Sequence, residues 1–227
     1  MEFDSLVLAA ATADLGDEPA ARPHADAVEF RMDLATEPLA ALNEYDGDLS
    51  LIATNRDPAE GGEADGAEAE RLAALESASA HDAVGAVDIE LSSLRTDAGA
   101  AAATTARANG ASVVASVHDF EGTPPESRLV DLLATAADRG DVGKLAVTAT
   151  DPGDALAVLS ATHTATQRGN RVATMAMGEA GRHTRAVAPL YGSKIGYAPV
   201  DPAEATAPGQ YDLATLADLI ERLGPGV

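Results

Sequence analysis

The sequence predicts an α/β fold of the (β/α)8 barrel class, formed by a single domain over residues 1–227. Three observations predict it. Eight short apolar runs recur along the chain, separated by helix-like segments. The runs are near-continuous rather than alternating, as in parallel strands buried on both faces. The length of 227 residues suits one barrel, and no Gly/Ser-rich or Pro-rich linker divides it. An open doubly wound sheet is the alternative. It would place a G-x-G-x-x-G turn after the first strand, and "AAATADLGDEP" has no such form.

The expected strands are residues 5–12 ("SLVLAAAT"), 27–34 ("AVEFRMDL"), 49–56 ("LSLIATNR") and 83–91 ("AVGAVDIEL"), followed by 111–120 ("ASVVASVHDF"), 143–150 ("GKLAVTAT"), 171–177 ("RVATMAM") and 193–200 ("SKIGYAPV"). Among the helices, residues 68–80 put Leu72 and Leu75 on one face, with acids opposite. Residues 125–140 place Leu129, Leu132 and Leu133 at i, i+3, i+4 and stop at Gly140. Residues 151–169 open on Asp-Pro and end at a glycine, and 211–224 close the chain.

Fifteen basic residues against 37 acidic give 15 − 37 = −22, with the acids spread along the whole chain. Such a surface argues against nucleic acid and anionic membranes as partners, since both need cationic patches. Together with abundant Ala, few aromatics and only two lysines, it points to salt adaptation, because high salt screens the self-repulsion. With no cysteine there is no disulfide, thiolate metal site or cysteine nucleophile. The first apolar run is too short to span a bilayer, and a soluble, cytoplasmic protein is expected.

Catalytic groups of barrels stand at the carboxyl ends of strands, and polar residues interrupt these strands at such places. Glu29, Arg31 and Asp33 share one face at i, i+2, i+4, Arg56 ends the third run with Glu60 four residues on, and Asp88 and Glu90 alternate in the fourth. His118 ends the fifth, Lys144 lies in the sixth, Met175 and Met177 in the seventh, and Arg185 follows. Each alone has a plain structural reading: interior salt bridges, a hydrogen-bonded histidine, core methionines. A ring of them on successive strands is harder to explain as packing, because each buried ion costs several kcal/mol before compensation.

Lys144 is the sharpest candidate. Desolvated and near cations such as Arg31 and Arg185, it would lose its proton more readily and could attack a ketone or aldehyde to form a Schiff base. Arginine cannot replace it there, whereas Lys194 is expected to be structural. His118, on the neighbouring strand, would shuttle protons, with a carboxylate to orient it. The five histidines show no metal-ligand spacing, so no metal is expected.

The motifs "EFRMD" (29–33), "TNRDPAEGG" (54–62), "DIEL" (88–91), "SVHDFEGTP" (116–124), "GKLAVTA" (143–149), "TMAMGEAGRHTR" (174–185), "YGS" (191–193) and "TAPGQ" (206–210) run in order over nearly the whole chain. In these the chain resembles the type I 3-dehydroquinate dehydratases of the shikimate pathway. The resemblance implies a homodimeric barrel needing no metal or organic cofactor, with 3-dehydroquinate as its small-molecule substrate. It implies that Lys144 forms the Schiff base, His118 is the general acid/base and Glu60 orients the histidine. It also implies that Arg185 binds the substrate carboxylate, and that Glu29, Arg31, Arg56 and Gln210 hold its hydroxyls and carboxylate. Thr206 stands where the family often has serine, and Phe30, the aromatic within E-x-R, belongs with the substrate-binding set. Met177 and Tyr197 match apolar wall or lid residues. Strand 1 offers only Ala9, Ala10 and Ala11, with Thr12 nearby, where a serine is usual. A class I aldolase would use the same lysine chemistry and a non-catalytic binding barrel would use none, so both stand as alternatives on the residues alone.

Overall fold

In a computed structural model the chain is described over residues 1–201, 203 and 207–224. Eight strands form one parallel sheet: β1 (Val7–Thr12), β2 (Ala27–Arg31), β3 (Ser50–Thr54), β4 (Val84–Glu90), β5 (Ser112–Asp119), β6 (Val142–Thr148), β7 (Val172–Met177) and β8 (Ile195–Pro199). Neighbours in space follow chain order from β1 to β7, and β8 pairs with β1. All eight expected strands are present, several of them trimmed at the ends. The change that matters most for the site is in β2, which stops at Arg31. Met32–Leu34 turn away, so Asp33 lies beyond the strand and reaches Arg31 from the turn instead of sharing its face.

The seam between β7 and β8 is the lightest part of the barrel. It closes through one bridge, between Val172 and Ser193. The Lys194 N–H donates to the Val172 carbonyl at 2.7 Å, and the Thr174 N–H donates to Ser193 Oγ at 3.0 Å. Ser193 of "YGS" therefore substitutes for a missing ladder bond. Lys194 serves the same end of the barrel, where its ammonium donates to the Asp4 carbonyl at 2.6 Å. This is the structural role the sequence suggests for it.

Helical segments follow each strand: α1 (Glu18–Ala21), α2 (Pro38–Glu44), α3 (Glu68–Ser79), α4 (Asp97–Ala108), α5 (Glu126–Arg139), α6 (Pro152–Gln167), α7 (Thr184–Val187) and α8 (Leu213–Leu223). Their starts are written in the sequence. Asp151 accepts from the Gly153 and Asp154 N–H groups ahead of Pro152, and Asp212 and Thr96 cap α8 and α4 in the same way. The outer core packs the strand faces of Val28, Phe30, Leu51, Val87 and Ile89 against Leu72 and Leu75 of α3 and Ala102, Ala103 and Ala106 of α4. Inside the barrel, small residues fill the amino-terminal end, among them Ala27, Ala86, Val142, Ala173 and Ile195, with Phe3 joining them. That plug leaves the carboxyl end for polar groups. Among the described residues, no helix is long and apolar enough to cross a membrane.

Ser193→Ala should leave the buried Thr174 N–H without an acceptor, at a cost of about 1–3 kcal/mol, and lower Tm by roughly 3–10 °C. Calorimetry at fixed salt checks this; an unchanged Tm would show that the seam does not depend on the hydroxyl.

Candidate active site

Alternation along the strands carries Glu29 (β2), Asp88 and Glu90 (β4), Ser116 and His118 (β5) and Lys144 (β6) to the barrel interior. Register sets them side by side, with Glu90 opposite Ser116 and Ser116 opposite Lys144. Lys144 Nζ donates to Asp88 Oδ2 at 2.9 Å and lies 3.6 Å from Glu29 Oε1. The charged groups in contact with the lysine are thus carboxylates, the pairing of the plain structural reading, rather than the cations such as Arg31 and Arg185 expected around a nucleophilic lysine. Tyr197 of β8 covers the ammonium, its ring centroid 4.2 Å from Nζ.

The ion pairs continue as a chain. Asp88 also accepts from Arg56 at 2.9 Å and from Ser116 Oγ at 2.6 Å. Arg56 reaches Glu90 at 2.8 Å, and Glu90 in turn accepts from Arg71 at 2.6 Å. Burial raises the Asp88 carboxyl, but Arg56, Lys144 and His118 outweigh it and hold Asp88 well below the usual carboxylate range. Burial also pulls the Arg56 guanidinium down, and Asp88, Glu90 and Glu29 together drive it well above its ordinary value. Asp88 and Arg56 are therefore ionised together at any working pH.

Arg71 went unnoticed in the sequence reading. It stands on α3, buried, and clamps Glu90 while donating to the Asn55 carbonyl at 3.0 Å and to Ser93 Oγ at 3.0 Å. The signal was present: Arg71 lies i, i+4 from the buried Leu75, a lone cation on the apolar face of a helix.

The loop after β3 brings Glu60 back over the barrel. Asp57 caps its single turn, and Gly61 leaves that turn at φ +80°. A side chain at Gly61 would strike the Phe120 ring, and one at Gly62 would lie 2.0 Å from the Arg56 carbonyl, so both glycines of "EGG" are required. Glu60 Oε2 then meets His118 twice, accepting from its backbone N–H and contacting Nδ1, each at 2.9 Å. Phe120 stacks on the imidazole at 6.5 Å and 17°. Burial pushes the Glu60 carboxyl up, against Arg56 and with Glu90, to about 7. Burial, then Arg56 and Lys144, push His118 well below the usual imidazole value. Nδ1 faces the carboxylate, which leaves Nε2 as the basic nitrogen of a neutral ring.

Arg185 behaves differently from the other arginines. Arg31 is tied to Asp33 at 2.8 and 2.6 Å, and Arg56 to Asp88 and Glu90. Arg185 is 4% exposed, and among the described residues no carboxylate pairs with it. It makes one long contact, 3.4 Å, to the Pro208 carbonyl, and its buried Nε has no partner. Burial alone lowers it to about 10. A desolvated guanidinium without a counter-ion is a receptor for an anion. Gln210 lines the same cavity and is held by the loop 207–210, where Gly209 at φ +76° packs on the Gly178 backbone and Gln210 Oε1 accepts from the Ala207 N–H at 3.2 Å.

Glu29, Arg31, Arg56, Glu60, His118, Lys144, Arg185 and Gln210 line one cavity, with Met175, Met177 and Tyr197 as its apolar wall. Phe30 does not join them. It has the opposite phase in the alternation, lying between Glu29 and Arg31 and pointing into the outer core, fully buried among Val28, Leu51 and Leu15. Thr206 lies outside the described residues. At the level of Glu29, strand 1 contributes Ala11 and no polar group. Among the described residues no cluster of His, Cys, Asp and Glu could hold a metal ion.

Known proteins share this sequence and fold. The family model described as type I 3-dehydroquinase matches residues 5–225. A 3-dehydroquinate dehydratase of Haloarcula marismortui is 60% identical over 227 residues, covering 98% of both chains. That of Methanosarcina barkeri is 38% identical, covering 90% of this chain and 88% of the relative. The crystal structure of 3-dehydroquinate dehydratase from Geobacillus kaustophilus HTA426 superposes with a TM-score of 0.87 at 27% identity, covering 97% of this chain and 91% of that one. The match separates the dehydratase from the aldolase and from the non-catalytic barrel. The chain belongs to the type I 3-dehydroquinase family.

Proposed function

We propose that the enzyme, a lyase that dehydrates 3-dehydroquinate, works through a Schiff base on Lys144. The observation that carries this is the placement around a single cavity of one buried lysine, one neutral histidine and one arginine with no carboxylate partner among the described residues. Lys144 Nζ attacks the C3 ketone, and loss of water gives a protonated imine. The imine draws electrons from C2 and makes its proton acidic. His118 Nε2 removes that proton, and the pair left on carbon is delocalised as an enamine. The pair then returns to expel the C1 hydroxyl, which His118 protonates as it leaves. Hydrolysis of the imine frees 3-dehydroshikimate and restores the amine.

The remaining residues have supporting roles. Arg185 takes the substrate carboxylate and fixes the ring in a near-attack position, with Gln210 beside it. Asp88 and Glu29 steer Nζ and balance its charge. Arg31 and Arg56 line the cavity, but their carboxylate partners make them positioning residues rather than anion receptors. Glu60 holds the His118 ring with Nε2 toward the substrate. Thr206 is proposed as a further substrate contact.

Borohydride added with 3-dehydroquinate should leave a stable adduct on the Lys144 peptide, read by mass spectrometry. Lys144→Ala should lose both the adduct and essentially all turnover; retained activity would sink the scheme.

The pH profile follows from the Glu60–His118 pair. Its base-active form is ionised Glu60 with neutral His118, so kcat/KM should fall on the acid side as the pair takes up a proton, near the value of about 7 set by Glu60. Glu60→Gln leaves a buried histidine beside Arg56 and Lys144, both of which disfavour its charging. The acid limb should then move to lower pH while the plateau rate drops about 10-fold or more. A limb that stays in place would remove Glu60 from the titration.

A further inference from the structure

Tyr197 stands in β8 facing the barrel interior and is 4% exposed. Its ring lies over Lys144 Nζ and borders the same cavity as His118 and Arg185. The sequence marks it only as apolar wall, a role the ring alone would fill. Its hydroxyl is the unexpected part. Oη is buried and has no hydrogen-bond partner among the described residues.

A phenylalanine would supply the same cover for the ammonium without burying an unmet donor, which costs free energy. The orphan is also not isolated. Two buried side-chain atoms of the cavity wall lack a partner among the described residues: Tyr197 Oη and Arg185 Nε. Both are donors, and both belong to a cavity complementary to an oxygen-rich anion. Arg185 suits the carboxylate. Tyr197 is placed instead against the nucleophilic nitrogen, and an oxygen on the carbon bonded to Nζ is only two bonds from it.

We propose that Tyr197 is a further catalytic residue, whose Oη donates a hydrogen bond to the substrate oxygen on the carbon that Lys144 attacks. This rests on the Schiff-base reading above. As the C–N bond forms, the C=O π pair moves onto that oxygen, and the proton given up by nitrogen ends there, producing the carbinolamine. A fixed donor close to the oxygen would stabilise the charge as it develops without reorganising. The phenol keeps its own proton throughout. Burial, reinforced by Glu29 and Asp88, holds it well above its ordinary value, so it acts as a donor only.

Tyr197→Phe tests this while keeping the ring and its contact with Nζ. The expected result is a fall in kcat of about 10- to 100-fold with KM changed less than about threefold. The single-turnover rate of borohydride trapping should fall in parallel, and Tm should match or exceed the wild-type value. Kinetics and trapping within about twofold of wild type would overturn the proposal, as would a change in KM alone. A fall in kcat with an unchanged trapping rate would also overturn it, because the hydroxyl would then act elsewhere. Wild-type enzyme is trapped alongside. An adduct there with an unaltered Tyr197→Phe variant rejects this proposal alone, whereas no wild-type adduct rejects the Schiff-base reading and this proposal with it.

Discussion

Lys144 and Asp88 meet at 2.9 Å inside the barrel, their side chains 5% and 0% exposed. Neither ion could be kept there alone, since each loses several kcal/mol of hydration on burial. The pair survives because Asp88 is shared with Arg56 and Ser116, Arg56 with Glu90, and Glu90 with Arg71. The chain of charges runs from α3 through β4 to β6, so each ion is held by its neighbours in one geometry. Removing one member would strand another, which is why a variant at Arg71 would be felt at the lysine although the two do not touch. Within this balanced set Arg185 stands out. It has no carboxylate partner among the described residues, and on the proposed mechanism a substrate carboxylate completes the charge balance there.

The same constraint explains what could be read from the sequence. Parallel strands buried on both faces should be apolar throughout, so a charge within one is visible at once. Glu29, Asp88, His118 and Lys144 all interrupted apolar runs, and all reached the interior. Period-2 alternation also placed Phe30, but only when applied strictly. Adjacency to Glu29 and Arg31 in a motif suggested the site, whereas the pleat sends the middle residue to the outer core. Arg71 was hidden for the opposite reason. Arginine on a helix is common, so its position i, i+4 from Leu75 is a weak signal until packing against β4 fixes the buried face. The surroundings of Lys144 were misjudged because a motif lists residues, whereas pairing depends on register. Arg31 is bound by Asp33, and carboxylates face the lysine.

The surface has a separate logic. The net charge of −22 matches the salt-adapted reading, and haloarchaeal relatives are 55–60% identical to the chain. Lysine has been reduced to two positions, and both are anchored. Lys194 ties β8 to the amino-terminal segment, and Lys144 sits in the cavity. An anionic substrate must reach the cavity against the charge of the whole protein. Screening by salt weakens that repulsion at long range, while the contact proposed for Arg185 is short enough for screening to matter little.

In the proposed mechanism Lys144 carries the covalent step while Arg185 supplies the anion contact. A crystal structure of the enzyme trapped with 3-dehydroquinate and borohydride tests both at once. The account predicts a continuous bond from Lys144 Nζ to the substrate ring, with the ring carboxylate paired to Arg185. Unmodified Nζ, or a carboxylate turned away from Arg185, would contradict it.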